Sequence, residues 1–206
     1  MPRPKKTEAQ LAEMRGRILD AAYDILLEKG RQGLSARAIA ERLGVAHMAL
    51  FTYFPNQAAI LRALSDREMT RIQTQQEIFE QRAESEDILQ VVREALAFFP
   101  DYARKNPKIF QIAWVMPIEA GADPEQTRLR AQSNVRHMAR LIRIGIERGV
   151  FESRDPDLTA AAVISMVISP LILFHSGRIP SSEMADRLGQ EMLVAALRYL
   201  TKETSR

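Results

Sequence analysis

Along almost the whole of this chain apolar residues return at intervals of three and four, and nowhere do they alternate with polar ones through a sustained β-branched run. A spacing near 3.6 gathers such residues on one side of a helix, whereas a strand needs a spacing of two. The pattern predicts an all-α fold. Leu11, Met14, Ile18, Ala21, Ala22, Ile25 and Leu26 form the first stripe, and Gly30 stands where that helix can close. Ser35 is placed to cap a short second helix carrying Ala36, Ile39, Ala40 and Leu43, which Gly44 interrupts. A third short helix, His47 to Phe54, puts Leu50 and Phe54 four apart on an inward face. Pro55 ends it, and Asn56 can cap a long connector bearing Ile60, Leu61, Leu64 and Ile72. Further stripes run from Ile88 to Phe99 and from Ile109 to Trp114, and the pairs Asp123-Pro124 and Asp155-Pro156 read as the starts of two more helices.

The three short helices predict a head over residues 1–54, including an N-terminal arm, and a larger helical body over 55–206 whose connector helix starts near residue 56. Charge is divided in the same way. Residues 1–54 hold nine Lys/Arg against six Asp/Glu, while the remainder holds twenty of each, so the whole net charge of +3 lies in the head. A phosphate-binding end shows this asymmetry, and so does a solvated basic tail. Cysteine is absent, which excludes a disulfide framework, cysteine-ligated zinc, iron-sulfur clusters and thiol catalysis. The start of the chain, Pro2 to Lys6, has no apolar core of a leader, and no uncharged run of membrane-spanning length is expected downstream. The expectation is a cytoplasmic protein without membrane contact.

Catalysis needs convergent groups, and none are evident. The three histidines stand apart at 47, 137 and 175, and there is no phosphate-cradling glycine loop, no HExxH pair and no nucleophile elbow. No catalytic residue, metal site or cofactor is therefore expected.

Ser35 to Leu43, the turn at Gly44 and Val45, and the segment from His47 to Phe54 have the dimensions of a helix-turn-helix, though an ordinary helical hairpin shares them. The run Gly33 to Ala46, followed by Leu50, Phe51, Tyr53 and Phe54, is more specific and resembles the DNA-binding signature of the TetR family of regulators. The similarity extends over about residues 15 to 64, including Ile18, Leu19, Ala21, Ala22, Gly30 and the pair Ile60-Leu61. It implies that His47, Met48 and Phe51 lie at base edges. Arg37 would reach a base or phosphate, the hydroxyls of Thr52 and Tyr53 would reach phosphate oxygens, and Ser35 would cap its helix and touch the DNA backbone. Surface exposure alone, or core packing for Phe51, competes with these roles. Three positions depart from the family pattern. Ala46 replaces a hydroxyl cap, Met48 stands where Gly or Pro is frequent, and Gln57 stands where a phosphate-binding lysine usually opens the connector. Gln57 can donate to a phosphate without neutralising it, which predicts a weaker salt dependence.

For the body, the resemblance implies a small-molecule effector in an apolar cavity, for which Phe98, Tyr102, Phe110, Trp114, Met138, Met166, Phe174 and His175 are candidates, each with core packing as the alternative. The helix from Asp157 to Ser176 is apolar on more than one face, so it must be covered on several sides. The resemblance implies that it pairs with the last helix and their copies in a homodimer, with Ile164, Ile168, Leu171, Ile172, Leu193, Leu197 and Leu200 in the interface. The function implied is a repressor that leaves a palindromic operator DNA when a small, largely apolar ligand binds. A helical dimeric adaptor without sequence-specific DNA binding is the alternative.

Overall fold

The computed structural model describes residues 7–110 and 124–201, and within them every side chain except those of 108–109 and 124–131. Trp114 lies outside the described residues. Eight α-helices follow one another: α1 Glu8–Gly33, α2 Ala36–Leu43, α3 Gln57–Ala83, α4 Ile88–Lys105, α5 Pro107–Phe110, α6 Pro124–Glu147, α7 Pro156–His175 and α8 Ser182–Leu200. Between α2 and α3 the segment His47–Thr52 is a 3₁₀ helix, tighter and shorter than the α-helix expected there. No strand occurs among the described residues. The one extended pairing is an isolated antiparallel bridge between Phe151 and Thr201.

The helix starts follow from local chemistry. Thr7 and Gln10 make a reciprocal capping box on α1. Asn56 Oδ1 accepts from the Ala59 amide at 2.9 Å, and Asp155 accepts from Asp157 and Leu158 with Pro156 in the first helical turn. Each side chain satisfies amides that the first helical turn leaves without partners. Gly30, at φ 67, interrupts the helical dihedrals as expected, but α1 resumes for one further turn to Gly33.

The chain's contacts group it into two compact units, Met1–Glu68 and Met69–Arg206. The expected division lay between residues 54 and 55. The first turns of α3 fall with the head because Ile60, Leu61 and Leu64 are buried there. They join Ile18, Ala22, Ile25 and Leu26 of α1, Ile39 and Ala40 of α2, and Leu50 and Phe54 of the 3₁₀ segment in the head's apolar interior. Ion pairs fasten its outside. Arg42 of α2 makes a fork to Glu28 of α1, at 2.9 and 2.5 Å, and Arg67 pairs with Asp20 at 2.6 Å.

In the second unit Phe79, Val91, Val92, Leu96, Leu141, Ile142, Val163, Val167, Ala196 and Leu200 belong to one buried cluster. The Phe151 ring seats against Gly145, where a Cβ would lie 2.0 Å from the ring carbon Cδ2. The Glu152 amide donates to the Leu200 carbonyl at 2.9 Å and ties the end of α8 to the loop before α7. Pro170, inside α7, supplies no amide for the Met166 carbonyl, and the Ser169 hydroxyl donates to that carbonyl instead at 3.3 Å. α7 also corrects the expectation about uncharged runs. Residues 158–177 contain no Asp, Glu, Lys or Arg, and the helix is long and apolar enough to cross a membrane by length and composition. A core helix of a soluble protein passes the same test, and Val163, Val167, Ile168 and Leu171 of α7 are buried inside the unit.

Candidate functional site

In the head, α2 and the 3₁₀ segment form the helix-turn-helix. The Ser35 hydroxyl accepts from the Ala38 amide at 3.0 Å and fixes where α2 begins. At its end Gly44 takes the left-handed conformation, φ 65 and ψ 32, so that the Val45 amide reaches back to the Ala40 carbonyl at 3.0 Å. This six-to-one closure turns the chain sharply. Ala46 occupies the cap position of the next segment with no side-chain bond to give, and the segment forms as 3₁₀.

Leu50 points inward, while His47, Met48, Phe51 and Thr52 are exposed. Met48 is 70% exposed, unusual for a large apolar side chain. The rings of His47 and Phe51 meet edge to face, with centroids 5.2 Å apart. Arg37 projects from the surface of α2 with no partner among the described residues. The structure therefore brings four of the expected recognition residues and Arg37 to the surface.

Two expected residues are used differently. Tyr53 is only 6% exposed and lines a recess with Gln10, Met14 and Arg17 of α1, so its ring is packed into the head. Gln57 donates from Nε2 to the Leu34 carbonyl at 2.7 Å, bracing the α1–α2 connection from the start of α3.

The body holds a small cavity of about 20 Å³, room for one water molecule. Phe98 and Met138 line it, together with Phe79, Leu96, Phe99, Leu141, Ile164 and Val167. In its polar wall, Gln76 and Asn134 were not anticipated. Gln76 and Asn134 are 8% and 4% exposed, and the Gln76 amide donates to Asn134 Oδ1 at 2.7 Å. Gln76 Oε1 is buried and accepts no hydrogen bond among the described residues. His137 also lines the cavity. Its Nδ1 meets Glu80 Oε1, while Glu80 Oε2 accepts from Arg140 at 2.8 Å, so the carboxylate is occupied on both oxygens. A signal for Gln76 and Asn134 was present in the sequence. Gln76 sits four after Ile72 and three before Phe79, and Asn134 four before Met138, so each is a polar residue on an apolar stripe.

None of the other described candidates lines this cavity. Tyr102 stacks beside Phe98 at 6.1 Å, Met166 packs half-buried against the main core, and Phe110 is fully buried with Ala103 and Leu171. His175 lies 5.2 Å from both Phe110 and Phe174, ring to ring, and burial pushes its pKa down. Among the residues expected at a subunit interface, Ile168, Leu171, Leu197 and Leu200 are already buried within the subunit, while Ile172 is exposed and Ile164 and Leu193 are half-buried. Leu158 of α7 and Met184 and Val194 of α8 are further large apolar side chains left exposed.

Residues 18–64 match the family described as bacterial regulatory proteins of the tetR family, and residues 84–190 match the tetracyclin repressor-like C-terminal domain. The chain belongs to the TetR family of bacterial regulatory proteins. Among its relatives, the class A tetracycline repressor of transposon 1721 from Escherichia coli is 47% identical over 49 residues, 24% of this chain and 23% of that one. The chain thus matches less than a quarter of that repressor's length. The repressor KstR of Mycolicibacterium smegmatis is 28% identical over 191 residues, 88% of this chain and 86% of that one. Among solved structures, SmeT, the repressor of a Stenotrophomonas maltophilia multidrug efflux pump, superposes with a TM-score of 0.70 at 20% identity, over 92% of this chain and 91% of that one. SmeT has also been solved in complex with triclosan.

Proposed function

We propose that the protein is a DNA-binding transcription regulator, a homodimeric repressor that leaves a roughly palindromic operator when a small, largely apolar effector enters its body. The observation that carries this is the capped α2, the Gly44 turn and the exposed set His47, Met48, Phe51 and Thr52, within the residues that match the family's DNA-binding domain. Residues 44–55 contain no Asn, Gln, Arg or Lys, so this segment offers none of the bidentate contacts that read adenine or guanine. Met48 and Phe51 suit the methyl group of thymine, and His47 adds a single hydrogen bond at a base edge. Thr52, Arg37 and the Tyr53 hydroxyl serve the phosphates and set the register.

The dimer follows from α7. A helix apolar nearly all round, with Leu158 and Ile172 still exposed inside its own subunit, needs a further cover, and α8 adds Met184 and Val194. A second copy of α7 and α8 gives that cover with twofold symmetry and presents two heads to half-sites one helical turn apart. This use of the apolar surface of α7 and a DNA target both suit a cytoplasmic protein. α3 supplies Ile60, Leu61 and Leu64 to the head's core and Gln76 and Phe79 to the cavity wall. An effector that prefers a body with α3 displaced shifts the population away from the DNA-binding state, by no more than its difference in affinity for the two states.

Selection of bound sequences from a library of random duplexes tests the proposal. The expected result is enrichment of a near-palindromic site whose affinity falls at least tenfold with Arg37→Ala and less with Tyr53→Phe, which removes the hydroxyl and keeps the buried ring. No enriched sequence, or a monomer by light scattering, would overturn it.

A further inference from the structure

The polar wall of the body cavity specifies what the effector must carry. A buried amide oxygen without a donor is costly, because its hydration is lost and nothing replaces it. Gln76 Oε1 is in that position at the edge of a cavity that is otherwise almost wholly apolar. The amide's Nε2 is held by Asn134, which fixes the direction in which the oxygen points and prevents the side chain from swinging away. Asn134 is itself buried, so the pair is a built feature of the core between α3 and α6.

Beside the wall the Glu80 carboxylate is already paired. The Glu80 carboxylate is shared between His137 and Arg140, leaving neither oxygen to attract a cationic ligand and no cation unopposed to attract an anionic one. The rest of the lining is apolar and includes Phe79, Phe98, Phe99, Leu96, Met138 and Ile164. Aromatic rings and a flexible methionine can part around a flat apolar body without leaving polar groups exposed.

Building on the assignment of the body as an effector domain, we infer that the effector is a neutral, predominantly apolar molecule with a hydroxyl group that donates its hydrogen to Gln76 Oε1. At about 20 Å³ the cavity accommodates the hydroxyl or a water that it displaces, and the apolar remainder enters by displacing Met138 and the phenylalanine rings.

Four probes of similar shape separate the possibilities: 4-phenylphenol, 4-methylbiphenyl, biphenyl-4-carboxylate and 4-phenylbenzylammonium. Binding to the full-length protein is read by calorimetry and by the methyl resonance of Met138 in methyl-labelled protein. The phenol is expected to bind about tenfold more tightly than the methyl analogue and than either ion. Gln76→Leu should erase that preference while retaining 4-methylbiphenyl. Because Gln76→Leu alone strands Asn134, the double variant Gln76→Leu/Asn134→Leu, which replaces both partners by apolar groups, is measured beside it. Equal affinity for phenol and methyl analogue in the wild type would overturn the inference, as would tighter binding of either ion, a preference that survives in the double variant, or no binding of any probe, the outcome if a water alone occupies the site. DNA binding by the same preparations keeps the two proposals apart. Sequence-selective DNA binding without a hydroxyl preference refutes only the effector chemistry, and a hydroxyl preference without DNA binding refutes only the regulator.

Discussion

The head and the body use polar and apolar side chains in opposite ways. In the head the interior is apolar except at Glu68, and the informative residues are apolar ones left outside: Met48 and Phe51 on the 3₁₀ segment. In the body the exposed large apolar residues are Ile78, Val150 and those on the flank of α7 and α8, and the informative residues are the polar ones kept inside, Gln76 and Asn134. Solvation explains the contrast. An exposed methionine costs little in water and gains when DNA covers it, whereas a buried amide oxygen costs free energy until a donor arrives. In both regions the proposed binding function rests on residues that break the region's own burial rule.

The same substitution in both regions gives the largest expected effect and the clearest contrast. Gly145→Ala in the body places a methyl 2.0 Å from the buried Phe151 ring and should cost about 2–3 kcal/mol in urea unfolding at fixed protein concentration. Gly44→Ala in the head meets no neighbour within 4 Å and suffers only its left-handed φ, so about 1 kcal/mol is expected. Equal losses would mean that the two cores do not differ in tightness.

A smaller effect tests the exposed apolar surface. Met48→Ala should weaken binding to the selected operator by roughly fivefold, about 1 kcal/mol, with no change in melting temperature. Replacing the contacted thymines by deoxyuridine should weaken wild-type binding equally and leave the variant indifferent. A variant that still discriminates between the two bases would remove Met48 from base recognition.

Gln57→Lys should restore a cation at the start of α3 and steepen the slope of log affinity against log salt by about 0.9 per head. Identical slopes would place residue 57 away from the phosphates and leave it only the brace on Leu34.

The smallest effect concerns His175, whose pKa is lowered by burial. In the folded state the ring releases its proton at a lower pH than in the unfolded chain, so the unfolded state binds more protons in the window just below the ordinary histidine value. Stability from this residue is present above that window and falls as the pH is lowered through it. Melting curves between pH 7.5 and 5.5 should be less pH-dependent in His175→Leu than in the wild type; unchanged dependence would acquit the residue.

The sequence by itself determined the all-α class, several helix starts and the helix-turn-helix. These depend on spacing and on cap residues within four positions of the groups they satisfy, as Ser35 on Ala38 and Asn56 on Ala59 illustrate. It also held the hint of the cavity wall, in two polar residues on apolar stripes. Only the tertiary structure decided that Gln76 and Asn134 face each other across 58 positions of sequence. It also decided that Tyr53 turns inward, that Gln57 bonds to Leu34, and that Leu197 and Leu200 are spent within the subunit. Periodicity tells which side of a helix is apolar but is silent about what covers that side, because the cover comes from residues far away in the chain whose position is set by packing all the helices at once.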